Sequence, residues 1–340
     1  MHKKLITVLV FFIFILVTGC VEDNIAPPFE GQLNPAAELL VYFESNGDFI
    51  NSIKAPAVTE AEEVYANLTN YLLIDIRDRS DFSAGHIQGA INIGYDSLFS
   101  FIKSIDANSY PKIILISKNG QSSSYFSCLL RLAGFDNIFA LKYGMASWNQ
   151  FFSEEWLNAL KDANNINDYI NDDFPKNTLT DLPDIVFDNP EAPLSERVQK
   201  RVEKIINEGF YYASNLQTNS EHYIVCYGKM RLYYARRFIT LEGRGHAPSA
   251  ISYLDFPDCE FMSGKYLQSL PAHKPIYIYD YDGHLSACLA AYLRILGYQA
   301  YTVLFGANQL FYSRMTAEPE LFEYAFSESK IYNLPYISGE

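Results

Sequence analysis

The sequence predicts an α/β protein of two three-layer domains, each a central parallel sheet flanked by helices, and three observations carry that prediction. The 340 residues, 49% of them hydrophobic, suffice for two cores of ordinary size, since domains cluster at about 100 to 150 residues. From Leu72 onward, short apolar stretches at 72–76, 90–93, 113–117 and 138–141 alternate with helical or loop segments, the rhythm of βαβ units around a parallel sheet. The pattern then recurs. Gly120 stands 14 residues before Gly134 in "GQSSSYFSCLLRLAG", as Gly283 stands 14 before Gly297 in "GHLSACLAAYLRILG". The offset of 163 also pairs Ser117 with Asp280, Ser123 with Ser286, Arg131 with Arg294, Phe135 with Tyr298 and Trp148 with Phe311. Upstream, "GHIQGAINI" (85–93) matches "GHAPSAISY" (245–253). One domain has been used twice.

Taken in order, the chain begins with His2, Lys3 and Lys4 and an uncharged apolar run from Leu5 to Val17, too short to span a bilayer comfortably and typical of a signal-peptide core. Val17-Thr18-Gly19-Cys20 resembles the lipobox of bacterial lipoproteins. That resemblance implies a signal at 1–19, a lipidated Cys20, and a place in the bacterial cell envelope, with the acidic Glu22 and Asp23 pointing to the outer membrane. Residues 20–35 are polar, carry prolines and read as a tether. A helix is expected over 36–44, and Thr59-x-x-Glu62 has capping-box spacing at the start of a second. The first domain is assigned to 36–157, with those helices as its N-terminal extension. Residues 158–193, rich in Asn, Asp and Pro, are the expected linker. A helix from Ser195 with Val198, Val202, Ile205 and Ile206 on one face opens the second domain, 194–340.

A net charge of -14 argues against nucleic acid, whose phosphates would be repelled. Beyond Cys20, the cysteines Cys128, Cys226, Cys259 and Cys288 show no CxxC spacing and no Cys/His cluster, so no metal site and no cofactor is expected. In an exported protein a pair such as Cys226 and Cys259 is a candidate disulfide, against the simpler reading of buried apolar thiols.

"LLIDIRDRSDFSAGHIQGAINI" (72–93), the strand and loop at 113–123 and "LRLAGFDNIFALKYGMASW" (130–148) together resemble the rhodanese domain of sulfurtransferases, and residues 222–314 resemble it more weakly. There, Cys226 and Gly228 replace Asp75 and Arg77. The resemblance implies a six-residue loop after the central strand that begins with cysteine, whose thiolate and persulfide are stabilised by loop amides at a helix start. Here that position is Ser117 in "SKNGQS" and Asp280 in "DYDGHL". A serine cannot carry a persulfide, so the catalytic set is empty and both positions are vestigial. Cys128 and Cys288 fall inside the following helices, where packing is the ordinary role. Asp75, Arg77 and His86 read as a structural motif.

"PIYIYDYDGHLS" (275–286) also resembles the nucleophile motif of haloacid-dehalogenase-type phosphatases, but too little chain follows for that fold's lysine and magnesium motif. A calcium loop lacks its later acidic ligands. The expected function is that of a membrane-anchored, catalytically inactive tandem rhodanese-like protein, a binding or scaffolding module; the alternative is an active sulfurtransferase using thiosulfate or 3-mercaptopyruvate. Lys118, Asn119, Gly120, Gln121, Ser122 and Ser123 are the candidate cradle for a small oxyanion, and an envelope protein is the other expected partner. Asp280 and Asp282 should repel an anion from the second loop.

Overall fold

The computed structural model describes residues 34–218, 221–235 and 244–339. The signal segment, Cys20 and nearly all of the tether lie outside the described residues. In the first half, β1 (Val58–Thr59), β2 (Leu72–Asp75), β3 (Ile91–Asn92), β4 (Ile113–Ile116) and β5 (Ile138–Leu141) form a sheet in the order β1-β5-β4-β2-β3. All four neighbouring pairs are parallel. Its helices are α1 (Pro35–Ser45), α2 (Ala61–Ala66), α3 (Arg79–Ala84), α4 (Tyr95–Ser104), α5 (Gln121–Leu132), α6 (Met145–Trp148) and α7 (Glu154–Ala159). The central strand β4 is buried on both faces: Ile113 and Leu115 pack with Leu98, Ile102 and Leu129, while Ile114 and Ile116 pack with Val64, Met145 and Trp148. This is the two-residue period of a strand covered by helices on both sides.

The second half repeats the plan. β6 (Tyr212–Ala213), β7 (Tyr223–Tyr227), β8 (Ala250–Tyr253), β9 (Ile276–Tyr279) and β10 (Ala300–Val303) are ordered β6-β10-β9-β7-β8, again all parallel. Its helices are α8 (Leu194–Glu208), α9 (Met230–Tyr233), α10 (His284–Ile295), α11 (Ala307–Leu310), α12 (Tyr312–Ala317) and α13 (Pro319–Phe322). Among the described residues no helix is long and apolar enough to cross a membrane.

The halves meet along α5 and α10, each covered by its own sheet on one side and by the other helix on the other. Small residues permit the close approach. The Cys128 thiol lies 3.3 Å from the Cys288 carbonyl oxygen, and the Cys288 thiol 3.4 Å from that of Ser124. One apolar core runs through the junction, joining Leu129 and Ile113 to Leu289, Ile276 and Val202.

Several expectations change here. Thr59 does not cap α2, whose N-cap Glu60 makes no side-chain capping bond. Thr59 is instead claimed by β1, where it pairs with Leu141 and its carbonyl accepts the Lys142 amide at 3.0 Å. The offset of 163 holds through α5 and α10 but becomes 162 beyond them. Ile113 pairs with Ile138 while Ile276 pairs with Ala300, because the second turn is one residue shorter. Trp148 therefore corresponds to Leu310, not Phe311. The expected linker, 158–193, is held along its length: Ile170 bridges His246, the Thr180 amide reaches the Gln268 carbonyl at 2.8 Å, and Ile185 and Phe187 join the core. The C-terminal chain returns to the first half, where Ile337 bridges His86 and the Trp148 indole donates to the Pro335 carbonyl at 2.9 Å.

Gly144, just before α6, shows how tightly the first loop is packed. Its φ of +60° with ψ of -149° is a conformation open to glycine, and a Cβ there would run into the Ser117 carbonyl oxygen and the Gly120 amide. Gly144→Ala is expected to cost ~3 kcal/mol or more in chemical unfolding of the full chain; a loss near zero would contradict this packing.

Candidate functional site

The two loops leave the C-terminal ends of β4 and β9 and turn into α5 and α10 through Gly120 (φ +87°) and Gly283 (φ +89°). In the first loop, buried Ser117 fills the cradle with its own oxygen. Its Oγ accepts the Gly120 amide at 3.0 Å and the Ser123 amide at 3.4 Å, and lies 2.9 Å from Ser123 Oγ. Ser123 donates its own proton to the Gly120 carbonyl at 2.9 Å. The Ser117 hydroxyl therefore donates to Ser123, and the relay ends on a carbonyl rather than on a base, which leaves Ser117 an unactivated alcohol.

The second loop is closed the same way by an anion built into the chain. The Asp280 carboxylate accepts the Gly283 amide at 2.6 Å, the Leu285 amide at 2.8 Å and the Ser286 hydroxyl at 2.8 Å. Burial, followed by the charge of Asp282, raises its pKa to about 7 against the pull of these donors. The aspartate that was expected only to repel an anion occupies the anion's place itself.

The fifth residue of each loop does not face a ligand at all. Gln121, fully buried, extends into the second half, donating to the carbonyls of Gly283 at 3.2 Å and Val303 at 3.3 Å and accepting the Phe305 amide at 2.6 Å. His284, its counterpart, extends into the first half, where its Nε2 accepts the Tyr143 amide at 3.0 Å. Tyr143 and Phe305 are themselves counterparts, both at φ +59°. With Nε2 accepting that hydrogen bond, the ring proton sits on Nδ1, which donates to Asp282 Oδ1 at 3.0 Å. Tyr143 Oη donates to Asp282 Oδ2 at 3.2 Å and receives Lys330 Nζ at 3.0 Å. Burial opposes charge on Asp282, but the hydrogen bond from His284 and the charge of nearby Lys142 hold its carboxyl below the usual carboxylate range.

The remaining candidates are also committed. Lys118 Nζ pairs with Asp81 at 2.8 Å, which raises its pKa. Asn119 Oδ1 accepts the Gln121 amide at 3.1 Å, and its Nδ2 contacts Glu155 at 3.4 Å. Ser122 alone among the side chains at 121–123 lines the cleft outside the loop. The arrangement departs from an open oxyanion cradle because the Gly120, Gln121 and Ser123 amides are used internally and the fifth side chain serves the junction. Asp75 and Arg77 form a buried pair at 2.6 Å, with Arg77 Nη2 also donating to the Gly85 carbonyl at 2.7 Å. His86 stacks on Phe82 and bonds its carbonyl at 2.9 Å. In the second half, where Gly228 stands for Arg77, Arg314 from α12 donates to the equivalent Gly245 carbonyl at 2.9 Å and pairs with Glu318 at 2.9 Å. Sequence reasoning missed this replacement, since Arg314 lies about 86 residues after Gly228 and no local spacing links the two.

All four described cysteines are free and buried. Cys226 and Cys259 are not joined; Cys259 donates to the Asn51 carbonyl at 2.9 Å. Burial pushes the Cys128 thiol up and that of Cys226 to about 12, the opposite of a reactive thiolate. Among the described residues no group of three or more His, Cys, Asp or Glu is gathered to hold a metal ion.

A model of the rhodanese-like domain matches residues 60–151. The thiosulfate sulfurtransferase GlpE of Shewanella oneidensis is 31% identical over 93 residues, covering 27% of this chain and 83% of the relative. The chain belongs to the rhodanese-like family. The uncharacterized protein YibN of Escherichia coli strain K12 is 32% identical over 101 residues, or 28% of this chain and 68% of that protein. A crystal structure of a thiosulfate sulfurtransferase from Pseudomonas aeruginosa covers 90% of this rhodanese-like chain and 48% of its own, at 15% identity and a TM-score of 0.27.

Two outcomes follow for the second rhodanese-like loop. His284→Gln, which installs the residue used by the first loop, is expected to stay within ~1 kcal/mol of wild type, whereas His284→Ala, which strands the Tyr143 amide and Asp282, loses ~2 to 4 kcal/mol. Equal losses would contradict the reciprocal arrangement. Asp280 binds its proton more tightly folded than unfolded, so its contribution to stability is complete below the ordinary carboxyl pKa of 3.8 and lost as pH rises through about 7. The stability of wild type relative to Asp280→Ser should accordingly fall between about pH 4 and pH 7 in urea titrations; a rise over that window would contradict the assignment.

Proposed function

We propose that this chain is a catalytically silent tandem rhodanese-like protein that works as a binding or scaffolding module, held at the outer membrane of a bacterial envelope through a lipidated Cys20. The observation that carries silence is the chemistry of the two cradles. Ser117 Oγ takes two loop amides and Asp280 takes two amides and a hydroxyl, so the donors that would hold a thiolate or persulfide already serve oxygen atoms of the chain itself. The helix cysteines offer no substitute: Cys128 and Cys288 are wholly buried and turned toward each other's helix. The binding role is supported by what the loops do instead, which is to fix the junction between the halves and leave a cleft open beside Ser122.

The competing reading is sulfur transfer, as the name of the Shewanella relative suggests. Thiocyanate formation from thiosulfate and cyanide separates the two. The full-length protein is expected to give the same rate as buffer. Turnover above that rate which disappears in Cys128→Ser or Cys288→Ser would overturn the silent reading.

A further inference from the structure

The cleft outside the first loop has a chemistry of its own. Two hollows of about 230 and 440 Å³ flank Lys118 and share Arg77, Lys118 and Glu155 in their walls. Arg77 and Lys118 are the only cations among the described lining residues, and each is paired, with Asp75 and Asp81 respectively. Asp78, Glu154 and Glu155 add three further carboxylates to the walls. Aromatic rings join them among aliphatic and polar neighbours. Phe210 and Tyr212, contributed by the second half, stack at 5.2 Å and line one hollow, and Tyr212 is half exposed. Phe152 lines the other and already carries the Arg77 guanidinium over its face at 5.5 Å.

From these groups we infer that the cleft binds an organic cation, an alkylammonium or guanidinium group, where family resemblance implies an anion. Carboxylates surplus to the lining cations attract positive charge and repel thiosulfate or phosphate. Aromatic faces add a cation–π surface that a hydrated metal ion would not use as well. The position also draws on both halves, since Phe210 and Tyr212 line the hollow together with Lys118 and Ser122 of the first loop. The inference rests on the reading of this protein as a binding module and names the chemistry of what it binds.

A ligand-observed NMR titration of the full-length protein tests it, with n-butylguanidinium, an acetyl-Gly-Arg-Gly-amide peptide and thiosulfate as probes. The guanidinium probes are expected to bind and thiosulfate not. If the peptide binds more tightly than the free cation, the source is a basic side chain of a partner protein; if not, it is a small amine or guanidine. Glu154→Gln with Glu155→Gln should weaken binding about tenfold, and Tyr212→Ala by a factor of about 2 to 5. Asp181→Asn with Asp184→Asn, an equal loss of charge at two exposed positions of the 158–193 stretch, should change it less than about twofold. Thiosulfate binding in preference, no binding of either guanidinium probe, or equal weakening by the two charge-removing pairs would overturn the inference. Thiocyanate formation in the same preparation reports separately on silence: a silent protein that binds no cation overturns this inference alone.

Discussion

Gln121 and His284 each carry a buried acceptor atom across the junction between the halves to a backbone N–H that has φ near +60° and few alternatives. Phe305 N–H meets Gln121 Oε1, and Tyr143 N–H meets His284 Nε2. An amide left unpaired at such depth costs about 1 to 3 kcal/mol, so each loop is anchored by the other half as well as by its own, where Met145 N–H meets the Ser117 carbonyl and Ala307 N–H the Asp280 carbonyl. The approach is close enough that a side chain on Gly120 would meet the His284 ring at 2.5 Å. The pairing of the halves thus adds to the contacts that shape both loops, and the hollow beside Ser122 is lined from both halves.

The constraint explains how the loops could change their chemistry without losing their form. What each cradle requires is an acceptor at its first position to satisfy inward-facing amides, and a hydroxyl or a carboxylate does this as well as sulfur. Ser117 does so as a neutral group with its proton directed to Ser123. Asp280 does so at the expense of burying charge beside Asp282, which is held in turn by His284 and Tyr143. The same logic appears at the glycine–histidine turn, where the guanidinium needed by a buried carbonyl comes from Arg77 in one half and from Arg314 in the other. The interaction is retained while the residue supplying it moves to a different element.

Much of the fold was legible because it rests on local pattern. The β4 and α5 stretch, with its apolar run and small-residue helix start, marks the central strand and the loop, and its copy 163 residues later marks the second domain. Positions that depend on contacts distant in sequence were not legible. Gln121 and Ser123 look alike as polar loop residues, yet one leaves for the other half and the other closes the cradle. Thr59 has a helix-capping neighbourhood but is taken by a strand pairing with Leu141. The carboxylates that set the charge of the cleft come from α3, α7 and the segments before them, which no single stretch brings together.

We propose that neither loop holds sulfur, because each is already closed by an oxygen of the chain, and that the buried cysteines do not replace them. Intact-mass spectrometry of the full-length protein after exposure to excess thiosulfate addresses it directly. The account predicts an unchanged mass. A gain of one sulfur atom that cyanide removes, mapped by peptide analysis to Cys128, Cys226, Cys259 or Cys288, would contradict it.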